Sequence, residues 1–272
     1  MSLPLRNSRL KLSCGTVFWR EVGQGPTLVF LHGSWNDGDG WLPTMELLRR
    51  EFHCLAPDLL GFGESEHPEV HYSIQLQLEF LAEYLQTLNL RQVYLVGHSL
   101  GGWIATSYAI KYPDRVRGLL LLAPEGVKID AARRDWWWMK VVMGRPKLVN
   151  WLLNTFQFLS KLKLPRWLAN IKQLMWEWQQ ILQSKAACQL LFLRRPAEIE
   201  AELLDDKLPW LKIPLVVLQG EKNSAAAKSL CQTYAKLAPQ AQLKIISASA
   251  YNLPEQLPDE LADYIRQFVN RE

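Results

Sequence analysis

The sequence lacks the features that mark several protein classes. No run of 18 or more apolar residues occurs in its 272 residues, so no membrane-spanning helix is expected. The polar stretch Met1–Leu12 has no apolar signal-peptide core, which predicts a cytoplasmic protein. The four cysteines stand far apart without a CxxC pair or metal-ligand spacing, which indicates free thiols in a reducing compartment. Neither a metal nor a cofactor is predicted.

Positive charge is concentrated in one part of the chain. The net charge is +4, but residues 133–195 carry twelve Lys or Arg against two acidic residues. Seven of the twelve tryptophans lie between 127 and 205, including Trp136–Trp138. Two interpretations stay open: binding to an anionic membrane surface, or a tryptophan core with a solvated basic face. No nucleic-acid-binding motif is present, so no nucleic-acid partner is expected.

Short runs of Val, Leu and Ile alternate with helical patterns, which predicts a mostly parallel sheet covered by helices. The predicted strands are Leu10–Cys14, Val17–Val22, Thr27–Leu31, His53–Pro57, Gln92–Val96, Leu119–Leu122, Leu215–Leu218 and Leu243–Ile246. The predicted helices include Ile74–Leu88, Leu100–Tyr112 and Leu261–Val269.

The strand signal disappears between residues 127 and 205. Amphipathic helices, the clearest being Leu148–Leu164 and Ile171–Gln183, take its place. We therefore predict an α/β core formed by residues 1–126 and 206–272, with a helical cap inserted at 127–205.

A predicted strand followed by Gly97-His98-Ser99-Leu100-Gly101 and a helix indicates a nucleophile elbow. The two glycines permit the sharp turn that holds the Ser99 hydroxyl clear of the backbone. The N–H of Leu100 at the start of the helix, joined by that of Ser34 from the loop after Leu31, is predicted to form an oxyanion hole.

The ordered motifs of the chain resemble the α/β-hydrolase superfamily, specifically its capped esterases, lipases, epoxide hydrolases and dehalogenases. They are HGS at 32–34, DLLGFGES at 58–65, GHSLGG at 97–102, YPDRV at 112–116, GEKN at 220–223 and LPEQLP at 253–258. The resemblance implies an eight-stranded, mostly parallel sheet with helices on both faces and an inserted helical cap.

Two positions depart from the family pattern. Asn223 stands where similar proteins carry the triad aspartate, and Tyr251 stands where they carry the triad histidine. None of the five histidines follows residue 98. Tyrosine, with a pKa of about 10, is a poor base at neutral pH, and loss of the triad histidine costs on the order of 10⁶ in turnover.

Glu125 is a possible alternative acid. It follows the strand Leu119–Leu122, where some capped relatives place their acid. The sequence alone favours a solvated loop carboxylate at this position.

Three functional hypotheses follow. The favoured one is a weak or inactive pseudo-hydrolase that binds an apolar ligand, a lipid or a partner. The first alternative is a serine hydrolase acting on a hydrophobic ester. The second is a protein that binds a membrane surface peripherally, or a partner, through the basic, tryptophan-rich cap.

Overall fold

The computed structural model describes residues 4–128, 184–247 and 253–270. In this part of the chain one sheet contains eight strands, namely β1 (Arg6–Leu12), β2 (Gly15–Val22), β3 (Thr27–Leu31), β4 (His53–Pro57), β5 (Val93–His98), β6 (Val116–Leu122), β7 (Leu215–Gly220) and β8 (Ala241–Ile246). Their order across the sheet is β1-β2-β4-β3-β5-β6-β7-β8. β2 runs antiparallel to both β1 and β4, and the remaining neighbours are parallel. The predicted mostly parallel eight-stranded sheet is confirmed.

The opening hairpin is also confirmed, although β1 begins at Arg6 rather than at the predicted Leu10. The first residues of β1 are polar and largely exposed, so they give no apolar alternation. They are in the strand because the backbone of Arg6 still pairs with that of Glu21 on β2.

Helices cover both faces of the sheet. Those in the described residues are α1 (Leu42–Leu48), α2 (Ile74–Thr87), α3 (Leu100–Lys111), α4 (Lys185–Cys188), α5 (Pro196–Glu202), α6 (Ala225–Leu237), α7 (Leu253–Gln256) and α8 (Pro258–Val269). α2, α3 and α6 contribute to the core on one face, while α1 and α8 contribute to the core on the other.

β5 illustrates how the sheet separates these two cores. Val93 and Leu95 belong to the core beneath α2 and α3, whereas Tyr94 and Val96 belong to the core beneath α1 and α8. Because side chains alternate between the faces of a strand, a sheet covered on both faces reads as a nearly continuous apolar run. Both faces of such strands are apolar, so polar side chains are left to the loops at the strand ends. In α/β sheets, ligands bind at the carboxyl ends of the strands.

The two ends of the predicted insert lie together. The Leu204 N–H donates to the Gly126 carbonyl oxygen over 2.8 Å, and the Lys128 N–H donates to the Asp205 carboxylate over 3.1 Å. The described part of the insert contains α4, a π-helical turn at Gln189–Leu193, and α5.

The other predictions for the insert fall outside the described residues. These are the helices Leu148–Leu164 and Ile171–Gln183 and the tryptophans Trp136–Trp138. The domain bounds and the proposed membrane contact stay predictions. No described helix has both the length and the apolar composition needed to cross a bilayer.

Candidate active site

Ser99 forms the turn between β5 and α3. Its backbone has φ +52° and ψ −114°, a left-handed conformation that side-chain-bearing residues rarely adopt. Both neighbouring glycines are needed at this turn. A Cβ on Gly97 would lie 2.7 Å from the Gly101 carbonyl oxygen, and one on Gly101 would lie 2.2 Å from the Leu31 carbonyl oxygen. The structure thus places Ser99 in the strained elbow that the sequence predicts.

Glu125 lies directly beside this serine. Ser99 Oγ donates to Glu125 Oε1 over 2.8 Å, and the Glu125 N–H donates to the Ser99 carbonyl oxygen over 3.1 Å. The contact depends on the turn after β6, in which Ala123 adopts φ +43° and Gly126 adopts φ +97°. The Ser99 hydroxyl therefore has a carboxylate within hydrogen-bonding distance.

The surroundings of Glu125 make its carboxylate unusually basic. Its second oxygen, Oε2, is shielded from water and accepts no hydrogen bond. Burial raises the pKa of Glu125 to about 7, and the Ser99 hydroxyl opposes this rise by donating to the ionised form. The favoured interpretation of Glu125 as a solvated loop carboxylate is therefore wrong.

The predicted oxyanion loop packs against the elbow. A Cβ on Gly33 would lie 3.3 Å from Ser99 Cβ and 2.9 Å from His98 Nδ1. Leu100 is the first residue of α3, so its N–H has no partner within the helix. Ser34 is buried in the adjoining loop. Convergence of the Ser34 and Leu100 amides on one point stays a prediction.

His32 holds the same loop in place and is not a base for Ser99. Its Nε2 accepts the Leu59 N–H over 3.0 Å, which leaves Nδ1–H to donate to the Gly33 carbonyl oxygen over 2.8 Å. Burial lowers the pKa of His32, so the ring is neutral at pH 7. Both ring nitrogens are thus occupied by structural hydrogen bonds.

The remaining four histidines make contacts of their own. His98 lies against the Gly33 loop, as described above. His53 lies next to the Glu21 carboxylate, and His67 lies next to the Gly63 carbonyl oxygen. His71 lies next to the Glu198 carboxylate. That none of the five histidines serves as the base stays a prediction.

Asn223 follows β7, and Ser99 and Glu125 follow β5 and β6. Since β5, β6 and β7 are neighbouring parallel strands, these three residues lie along one edge of the sheet. The Asn223 side chain is 7% exposed, and its Oδ1 accepts no hydrogen bond. Tyr251 falls outside the described residues, so the degenerate triad formed with Asn223 stays a prediction.

No group of three or more His, Cys, Asp or Glu side chains in residues 4–128, 184–247 and 253–270 is arranged to hold a metal ion.

Comparison with known proteins identifies the family. A sequence profile of the alpha/beta hydrolase fold matches residues 26–253, which is most of the chain. The chain belongs to the α/β-hydrolase fold family. This finding confirms the resemblance that the ordered motifs suggested, and it agrees with the sheet order and the elbow described above.

Relatives of this α/β-hydrolase-fold chain include hydrolases and lipases. The 2-hydroxy-6-oxo-2,4-heptadienoate hydrolase of Pseudomonas putida is 38% identical over 117 residues, which cover 40% of this chain and 41% of that protein. The (lyso)-N-acylphosphatidylethanolamine lipase of Homo sapiens is 39% identical over 132 residues, covering 46% and 37% respectively. The chain spans about a third to a half of the length of the curated relatives that it matches.

Solved structures are similar over nearly the whole chain. A thermophilic esterase from Thermogutta terrifontis has a TM-score of 0.72 at 24% identity, covering 98% of both chains. A bacterial membrane phospholipase A has a TM-score of 0.73 at 24% identity, covering 98% of this chain and 86% of that one. These likenesses show the fold alone.

Proposed function

We propose that this protein hydrolyses carboxylic esters, with Ser99 as the nucleophile and Glu125 as its general base. The observation that carries the proposal is the 2.8 Å hydrogen bond from Ser99 Oγ to Glu125 Oε1. A base must lie within about 2.6–3.2 Å of the group it deprotonates, and its pKa should be near the working pH. Glu125 meets both requirements, because its pKa is about 7, close to that of an ordinary histidine.

Acylation uses the proton in the hydrogen bond between the Ser99 hydroxyl and the Glu125 carboxylate. Ser99 Oγ attacks the ester carbonyl carbon while its proton passes to Glu125 Oε1. The carbonyl oxygen becomes an oxyanion facing the Leu100 N–H, at the positive end of α3. When the intermediate collapses, the bond to the alcohol oxygen breaks and Glu125 returns the proton to that oxygen. The products are the alcohol, acylated Ser99 and an ionised Glu125.

Deacylation repeats these reaction steps with water as the nucleophile. A water molecule gives a proton to the Glu125 carboxylate and adds to the acyl carbon. The second collapse breaks the bond to Ser99 Oγ, which takes the proton back from Glu125, and the carboxylic acid leaves.

Two considerations support a hydrophobic ester as the substrate. The relatives that the chain matches include a hydrolase and a lipase, and the predicted cap is rich in tryptophan. Polar groups that bind a transition-state oxyanion also suit acyl substrates in general. The ligand-binding pseudo-hydrolase remains the competing hypothesis.

The pH dependence of ester hydrolysis tests this proposal. With p-nitrophenyl butyrate between pH 5 and 9, we expect the rate to rise through a midpoint near pH 7 and then level off. The reason is that only the ionised Glu125 accepts the serine proton, and its pKa is about 7. Ser99→Ala should lower the plateau rate by at least about 10²-fold, since it removes the nucleophile.

Ser107→Ala is a matched control, because it removes from the same helix a hydroxyl that makes no hydrogen bond. It should keep the native rate and midpoint. Equal rates for the native chain and Ser99→Ala would contradict the proposal and favour the pseudo-hydrolase.

A further inference from the structure

We propose that Tyr234 is a positioning residue that keeps the Glu125 carboxylate aligned with Ser99 Oγ. The Tyr234 hydroxyl on α6 donates to the main-chain carbonyl oxygen of Glu125 over 2.5 Å. This inference deepens the proposed function and rests on it. No sequence motif marks Tyr234, which is 109 residues from Glu125 along the chain.

The hydroxyl completes a pair of anchors on the main chain of Glu125. On one side the Glu125 N–H donates to the Ser99 carbonyl oxygen over 3.1 Å, and on the other Tyr234 donates to the Glu125 carbonyl oxygen. The side chain leaves from the Cα atom between these anchors. Fixing both peptide groups fixes the direction of the Cα–Cβ bond, from which the Glu125 side chain extends to its hydrogen bond with Ser99 Oγ.

The turn that carries Glu125 needs such an anchor. Ala123 and Gly126, which flank it, both have positive φ angles, of +43° and +97°. For alanine this conformation costs free energy and persists only where surrounding contacts enforce it. The Tyr234 hydroxyl is one of the contacts that hold the turn in this form.

Tyr234 is suited to act as a permanent donor. Its side chain is fully buried, and burial raises its pKa well above the ordinary value, so the hydroxyl keeps its proton throughout the assay range. The groups that face it are the Thr106 hydroxyl on α3, the Cys231 thiol on α6, and the carboxylates of Glu125 and Asp205. Burial raises the pKa of Glu125 to about 7 and that of the Cys231 thiol to about 12.

Tyr234→Phe tests the inference by removing only the hydroxyl. We expect kcat to fall roughly tenfold with KM unchanged, the loss typical of one hydrogen bond. The midpoint of the pH–rate profile should also move above 7. A displaced carboxylate loses the hydrogen bond from Ser99, and that bond lowers the pKa of Glu125. General destabilisation would reduce the active fraction without moving the midpoint.

Tyr84→Phe is the matched control. Tyr84 is equally buried, but its hydroxyl makes no hydrogen bond. The variant should therefore keep the native kcat and the native midpoint.

A second measurement does not depend on activity. The infrared carboxylate signal that is lost in Glu125→Gln reports the ionisation of Glu125, and its midpoint should move upward in Tyr234→Phe but not in Tyr84→Phe. If the two tyrosine variants have the same midpoint, the positioning role is wrong, even where Ser99-dependent hydrolysis upholds the proposed function. If the midpoint moves but the native chain hydrolyses no ester, the proposed function fails while the effect of Tyr234 on Glu125 is supported.

Discussion

Glu125→Gln is expected to lower kcat/KM for p-nitrophenyl esters by about 10²–10⁴-fold at pH 8. This is the usual contribution of a general base, and the amide of glutamine cannot accept the serine proton. The variant keeps the length and shape of the side chain, and it can still form a hydrogen bond with Ser99. The loss should therefore appear mainly in kcat, and the sigmoidal pH dependence around 7 should disappear.

Glu200→Gln provides the control, because Glu200 is an exposed glutamate on α5. It should have the native rate and the native pH profile. A Glu125→Gln variant that retained native activity would show that another group deprotonates Ser99. It would leave the Ser99–Glu125 contact as a purely structural hydrogen bond.

The same substitution is expected to stabilise the folded protein at alkaline pH. The folded-state pKa of Glu125 is about 7, above the ordinary value of 4.5 that applies in the unfolded chain. Between these two values the folded state binds more protons than the unfolded state, so the free energy of unfolding falls as pH rises from about 4.5 to 7. The pKa shift lowers the free energy of unfolding by about 3 kcal/mol, and this loss is fully present above pH 7. Glutamine does not titrate and avoids this loss.

Denaturant unfolding at pH 5 and pH 8 measures the effect. The two proteins should differ little at pH 5, and Glu125→Gln should be more stable by up to about 3 kcal/mol at pH 8. Glu200→Gln should follow the native protein at both values. A variant less stable than the native chain at pH 8 would show that the ionised carboxylate is well solvated or well paired in the folded state.

Strands and helices buried on an alternating or periodic pattern could be predicted from the sequence. Thr27–Leu31 and His53–Pro57 have the predicted bounds, since the last four residues of each form an uninterrupted run of buried apolar side chains. The β6 strand begins at Val116 rather than at the predicted Leu119, because the exposed Arg117 and the glycine at 118 interrupt the apolar run. Its pairing with β5 continues through backbone hydrogen bonds, which leave no signal in side-chain type.

The elbow could be predicted because glycines at fixed offsets from Ser99 have a steric cause that is local in the chain. The contact between Ser99 and Glu125 could not, since it depends on the positive φ of Ala123 in a turn 24 residues further along. Alanine carries no sequence signal for that conformation. The burial that raises the pKa of Glu125 is likewise a property of the assembled core.

The hydrogen bond between Leu204 and Gly126 has a consequence for how this protein can change during evolution. It joins the two ends of the predicted insert, and closely spaced ends allow a segment to be replaced without disturbing the rest of the domain. Loop-closure entropy also changes slowly with length, so a longer or shorter segment costs little additional free energy. A longer or shorter segment between these two residues is therefore expected to leave unaltered the frame that holds Ser99 and Glu125.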